Sequence, residues 1–207
     1  MNAEITVVVP TFQRAGWLRE TLDGLVRQTL SADRFEVVVT DDGSADGTVD
    51  LVRSFADRLN LRYVYHHDLG HRVAATRNAG ARAAAAPVLA FVDAGTRPLA
   101  GSVEAHLLAH KAAELAGSTT VVVGRVAGYD NRTASEDAGS AEPASDMRDE
   151  ELDRFSRTLE NTCLPWRLAW TANLSVDAKV FASVGGFDER FTGWGAEDME
   201  LAYRLHR

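Results

Sequence analysis

The sequence predicts an α/β fold, an open and mostly parallel twisted sheet with helices on both faces. Three observations predict it. β-Branched, apolar runs recur at residues 5–9, 35–40, 61–65 and 88–92; segments of helical period lie between them; and the first, second and fourth runs end in polar or glycine-rich residues, at 10–14, 41–44 and 93–96. The runs at 5–9 and 35–40, rich in β-branched and apolar residues, suit strands buried on two faces, and strand alternating with helix is the pattern that builds a parallel sheet.

The elements follow in order. After strand 5–9, Leu18, Leu22, Leu25, Val26 and Leu30 recur at helical spacing and lead into strand 35–40. Val49, Val52, Phe55, Ala56 and Leu59 mark a second helix, 61–65 a third strand, 72–86 a third helix and 88–92 a fourth strand. Beyond Pro98 a helix through Leu107 and Leu108 leads to a strand at 119–126. Residues 129–150 carry almost no large apolar side chain, which predicts a mobile acidic insertion. Order is expected to return with a helix at 151–161, a strand at about 170–176 and a final helix from Ala196. That helix runs to the last residue, so a further C-terminal segment is expected beyond it.

A chain of 207 residues with 45% hydrophobic content is the size of one domain with a real core. Its formal charge of -8 is concentrated: between 130 and 153 stand nine carboxylates against two arginines, and the remainder is nearly neutral. This excludes the basic stripe of a nucleic-acid binder. The longest weakly apolar stretch, 83–92, contains Pro87 and is about half a membrane span, so no transmembrane segment is expected. Cys163 is the only cysteine and the first ten residues have no basic leader region. The expected location is therefore cytoplasmic, with peripheral attachment at the inner face of the membrane where a substrate is membrane-borne.

In a parallel sheet the polar strand ends share one edge, so Pro10-Thr11-Phe12-Gln13-Arg14, Asp41-Asp42-Gly43-Ser44 and Asp93-Ala94-Gly95-Thr96 converge on one crevice. Carboxylates there can accept hydrogen bonds from a base or ribose, and glycine lets a ligand approach the backbone. No Gly-x-Gly-x-x-Gly follows the first strand, which argues against a dinucleotide-linked oxidoreductase. The Gly-rich loop with Thr-Arg expected of a sugar-1-phosphate nucleotidyltransferase is also missing there.

Val-Val-Val-Pro-Thr-Phe-Gln-Arg (7–14), Val-Val-Thr-Asp-Asp-Gly-Ser-Ala-Asp-Gly-Thr (38–48), Ala-Thr-Arg-Asn-Ala-Gly (75–80) and Phe-Val-Asp-Ala-Gly (91–95) stand in the order and spacing of one family. Together they resemble the family 2 glycosyltransferases of GT-A fold. Trp-Thr-Ala-Asn-Leu-Ser (170–175), Val-Gly-Gly-Phe-Asp-Glu-Arg-Phe (184–191) and Gly-Trp-Gly-Ala-Glu-Asp (193–198) resemble the acceptor-side block of members that transfer N-acetylhexosamines. The resemblance implies one domain, with a nucleotide-binding half at 1–98 and an acceptor and catalytic half at 99–207. It implies an inverting transfer from a nucleoside-diphosphate sugar, UDP-linked, to a hydroxyl of a glycan, lipid-linked or small-molecule acceptor.

By the same resemblance Pro10, Thr11 and Arg14 line the nucleotide pocket, Asp41 or Asp42 holds the base, and Arg77 and Asn78 lie near the nucleotide. Arg77 is expected to pair with the diphosphate, Asp198 to act as general base, Glu197 to orient the acceptor, and Trp194 and Asn173 to contact sugar. The family's Asp-x-Asp is Asp93-Ala94-Gly95 here, and Gly95 has no ligand atom. Either Mn2+ or Mg2+ is therefore expected on Asp93 with a residue from elsewhere, His206 being the candidate, or the leaving-group charge is handled partly by Arg and Lys side chains. The same departure keeps open an alternative, a non-catalytic nucleotide-sugar binding module of this fold.

Overall fold

The computed structural model describes residues 3–127, 146–154, 164–193 and 195–207. Its sheet has six strands in the order β3-β2-β1-β4-β6-β5. They are β1 (Ile5–Thr11), β2 (Phe35–Asp41), β3 (Leu61–Tyr65), β4 (Val88–Val92), β5 (Val121–Val123) and β6 (Asn173–Asp177). β1 pairs in parallel with β2 on one side and with β4 on the other, and β2 with β3. Only β6 is reversed among the described strands, pairing antiparallel with both β4 and β5. The expected open, mostly parallel sheet of GT-A type is therefore present.

Among the described residues seven helices cover it: α1 (Ala15–Val26), α2 (Thr48–Arg53), α3 (Val73–Ala83), α4 (Ser102–Leu115), α5 (Asp149–Arg154), α6 (Ala178–Ser183) and α7 (Glu197–His206). Alternation along β1 explains why both faces are covered. Val7 and Val9 enter one apolar layer with Leu18, Leu22, Val52, Val103 and Leu107, while Val8 enters another with Ala74, Phe181, Phe187 and Leu201. Successive strand side chains point to opposite faces, so a strand apolar throughout needs both layers. Gly80 lets α3 lie close on β1, since a Cβ there would stand 2.3 Å from Val8 Cγ1.

After β3 the chain crosses back over β1 and enters the sheet on its other side as β4. The carboxyl ends of β1 and β4 thus flank the switch in strand order, where open α/β sheets leave a crevice.

Four expectations change. The strand expected at 119–126 is only Val121–Val123: the Asn173 amide fills the space beside Gly124, and Val126 N donates to Asp146 Oδ2 at 2.7 Å instead of continuing the ladder. Of the acidic segment 129–150, residues 129–145 lie outside the described residues, but its end is not a solvated loop. Asp146 and Arg148 are buried and paired at 2.6 Å, and Arg148 donates to the carbonyls of Leu168 and Gly124 at 2.8 and 2.9 Å. Two opposite charges two residues apart satisfy each other here, which a count of polar residues does not reveal. Of the helix expected at 151–161, the described part is α5, and the rest lies outside the described residues. Finally, α6 and a 3-10 turn at Pro165–Leu168 were not anticipated. The signal for α6 was present in Asp177, whose side chain caps it by accepting from Lys179 N and Val180 N at 2.8 and 3.0 Å. Among the described residues no helix is long and apolar enough to cross a membrane.

Candidate active site

The strand ends place the first residues. Pro10 and Thr11 close β1, and Thr11 is buried with no hydrogen-bond partner for its hydroxyl. Arg14 is exposed at the start of α1. Asp41, closing β2, is fully buried: Oδ1 accepts from Gly43 N at 3.1 Å and Ser44 N at 2.8 Å, and Oδ2 from the Tyr63 hydroxyl at 2.6 Å. Burial, with the Asp41 carboxylate beside it, pushes the Tyr63 phenol up. Asp42 Oδ1 accepts from Arg72 Nη2 at 2.6 Å, and Oδ2 from Arg72 N at 3.2 Å. Asp41 thus shapes the turn after β2, and Asp42 is tied to the start of α3. Both carboxylates already accept hydrogen bonds from the protein, three on Asp41 and two on Asp42.

Arg77 is the centre of the site. From α3, almost wholly buried, its Nη2 donates to Asp93 Oδ1 at 2.8 Å, and Nη1 donates to Glu197 Oε1 at 2.9 Å and Asp198 Oδ1 at 3.3 Å. One guanidinium thus joins the end of β4 to the first turn of α7, across 120 residues of sequence. Burial opposes the Arg77 charge, but Asp93, Asp198 and Glu197 hold its pKa above the ordinary value. Nη1 has both its N–H groups on carboxylates and Nη2 has one on Asp93, so Arg77 stands as a strut among carboxylates rather than the open fork expected for a diphosphate. Burial pushes the Asp198 carboxyl up, and Glu197 and Asp93 add repulsion; Arg77 and the Thr171 hydroxyl pull the other way without cancelling it. Glu197 is buried and its Oε2 has no partner.

Three expected site residues turn out to be structural or elsewhere. Asn78 donates to the Phe187 carbonyl at 2.8 Å and to Glu189 Oε1 at 2.9 Å, and accepts from Phe187 N at 2.9 Å. Its amide therefore fastens the Gly185-Gly186-Phe187 loop to α3, with both N–H groups engaged within the protein. Asn173 bonds His106 Nε2 at 2.9 Å through Oδ1 and donates to the Arg125 carbonyl at 3.1 Å, which ties β6 to α4 and the end of β5 instead of contacting sugar. His206 is exposed at the end of α7, its ring 5.0 Å from that of Trp166 and two turns beyond Asp198. Trp194 lies outside the described residues. Sequence reasoning missed Thr171, which bonds Asp198 through both its hydroxyl and its backbone N–H. The only signal for it was its place in the 170–175 block.

The charges decide how a divalent cation would fit. Three carboxylates surround one guanidinium, and Asp93 remains a third exposed with a single bond, through Oδ1, to Arg77. The donor set suits a cation held by Asp93 and by oxygens of a bound diphosphate, since Mg2+ takes few protein carboxylates when phosphates complete its shell. It does not suit one caged by Asp93 and His206, and no group of three His, Cys, Asp or Glu among the described residues is arranged to hold a metal.

Gly95, next to Ala94 in the turn after β4, has φ +106, and a Cβ there would lie 3.1 Å from Trp17 Cε3. Gly95→Asp, which would rewrite the Asp-x-Asp pair, is therefore expected to lower the unfolding free energy by about 1–2 kcal/mol, the cost of a side chain at positive φ. Urea denaturation measures it; an unchanged midpoint would show that this turn accepts a side chain.

Comparison with known proteins came to the same place. Residues 6–169 match the model of "Glycosyl transferase family 2", and residues 154–207 that of the "N-terminal domain of galactosyltransferase". A validoxylamine A glucosyltransferase of Streptomyces hygroscopicus subsp. jinggangensis (strain 5008) is 45% identical over 98% of this chain and 51% of its own length. A chondroitin synthase of Escherichia coli is 32% identical over 98% of this chain and 32% of its own. The chain therefore spans about half the length, or less, of these relatives. Among solved structures, S. aureus TarS 1-349 in complex with UDP-GlcNAc superposes with TM-score 0.76 at 20% identity, over 98% of this chain and 53% of that one. A mannosyltransferase from Pyrobaculum calidifontis in complex with GDP-Man and Mn2+ does so with TM-score 0.60 at 24% identity, over 99% and 52%.

Proposed function

Because the chain belongs to glycosyltransferase family 2, we propose that it transfers a hexosyl group from a UDP-linked sugar to an acceptor hydroxyl, with inversion at the anomeric carbon. One observation carries this reading. A carboxylate with a raised pKa, Asp198, stands partly exposed and is joined through Arg77 to Asp93 at the strand-end crevice. A donor bound against the ends of β1 and β4 presents its anomeric carbon near Asp198. The acceptor hydroxyl loses its proton to Asp198 as its oxygen bonds the anomeric carbon, and the bond to the nucleoside diphosphate breaks with its electron pair. One displacement needs one base, and a pKa raised toward the working pH makes that base more effective.

Glu197, with Oε2 buried and unpartnered, is suited to accept a hydrogen bond from a sugar hydroxyl that enters beside Asp198. Mn2+ or Mg2+ on Asp93 and the diphosphate would supply the positive charge that the leaving group needs and that Arg77, already paired, does not. UDP as carrier is supported by the TarS structures with UDP and UDP-GlcNAc, and a glucosyl donor with validoxylamine A as acceptor by the 45% identical relative.

The test is direct. UDP-glucose with Mn2+ is expected to raise the melting temperature by several degrees, because a ligand held by the native state alone stabilises it. Adding validoxylamine A is expected to release UDP. Binding without release on any acceptor would favour a nucleotide-sugar binding module, and no shift with UDP or any UDP-sugar would overturn the reading.

A further inference from the structure

Thr171 lies between the 3-10 turn and β6 and is fully buried. Its hydroxyl donates to Asp198 Oδ1 at 2.6 Å and its backbone N–H to Asp198 Oδ2 at 3.1 Å. Arg77 Nη1 adds a second donor to Oδ1 at 3.3 Å. A carboxylate offers about four lone-pair sites, two on each oxygen. Oδ1 is therefore filled, whereas Oδ2 keeps one site to which no donor among the described residues is bonded, on a side chain 22% exposed. The charged groups that face this carboxyl are Arg77 from α3, Asp93 at the end of β4 and Glu197 on its own helix.

We infer that Thr171 is a positioning residue that selects the oxygen of Asp198 on which the acceptor's proton lands. The inference rests on Asp198 being the base. With Oδ1 closed by the Thr171 hydroxyl and Arg77, the O–H bond of the acceptor breaks toward Oδ2. The Thr171 N–H fixes that oxygen in direction while the new bond to the anomeric carbon forms and the diphosphate departs. The hydroxyl also favours the ionised form of Asp198, so it keeps the base available at lower pH.

Thr171→Val retains the branched shape and the backbone N–H but removes the hydroxyl. With UDP-glucose and validoxylamine A as probes, it is expected to lower kcat about tenfold to a hundredfold, the range for one lost hydrogen bond to a charged group. The KM for UDP-glucose should stay put, and the acidic limb of kcat/KM should move to higher pH. Thr171→Ser, which restores the hydroxyl, is expected to recover most of kcat and the original limb. A purely structural threonine would lower stability without moving the limb.

Titration of the Asp198 carboxyl carbon in 13C-labelled chain reads the same upward shift in Thr171→Val without turnover. If Thr171→Val does not melt cooperatively, Thr171→Ala takes its place; failure of both to fold makes Thr171 a structural residue and overturns the proposal. Asp198→Asn measured alongside separates the two claims. An inactive Asp198→Asn with an unshifted Thr171→Val overturns the positioning role alone, and an active Asp198→Asn removes the base and this inference together.

Discussion

Asp198→Asn is expected to reduce turnover by about 10²–10⁴-fold, the contribution of a positioned general base, while leaving affinity for the UDP-sugar nearly unchanged. Through its oxygen the amide still accepts from the Thr171 hydroxyl, while its NH2 group replaces the oxygen that accepted from the Thr171 N–H, and it takes no proton. The pH dependence follows from the same residue. Burial raises the folded-state pKa of Asp198 above its ordinary value of 3.8, and a base works only when ionised. Activity should therefore fall as the pH drops through that raised value, placing the acidic limb of kcat/KM above the range of an exposed aspartate. The limb should be missing from whatever activity Asp198→Asn retains. An Asp198→Asn chain that turns over at the wild-type rate would sink the proposed mechanism.

The second large effect concerns stability. Arg77→Met removes the one cation shared by Asp93, Glu197 and Asp198, and breaking a buried ion pair on one side costs about 3–5 kcal/mol. Against the roughly 5–15 kcal/mol that holds an ordinary domain together, this brings the fold close to its threshold. Urea denaturation at pH 7 should show the loss. The deficit should shrink as the pH falls, because protons neutralise carboxylates that no longer have a partner; groups whose protonated form is favoured in the fold stabilise at low pH and destabilise as the pH rises. Arg77→Lys is expected to fall between the two, since a single ammonium does not span three carboxylates as a planar guanidinium does. A pH-independent deficit, or none, would contradict the role of Arg77 as the strut of the site.

The two experiments separate activity from architecture. Asp198 is proposed as the base and its loss is expected to be chemical; Arg77 is enclosed and its loss is expected to be structural. Both residues belong to motifs that resemble the family, and motif membership does not distinguish the roles. What distinguishes them is exposure: 22% for the Asp198 side chain against 4% for that of Arg77.

Much of the molecule was legible in the amino-acid order alone. The runs at 5–9, 35–40, 61–65 and 88–92 all became strands: β1, β2 and β4 are buried at every position, as strands covered on both faces of a parallel sheet are, while β3 at the sheet edge is only partly buried. The gathering of Thr11, Asp42 and Asp93 at one edge followed from parallel connectivity. Tertiary structure alone decided which partner each polar side chain takes. Asn78 and Asn173 went to the loop at Phe187 and to His106, 109 and 67 residues away, and Arg77 to Glu197, 120 away. Periodicity is a property of neighbours and is written locally, whereas a hydrogen bond or ion pair depends on which distant backbone the fold brings within 3 Å. A sequence therefore states that a buried arginine needs carboxylates, and only the packed chain says which.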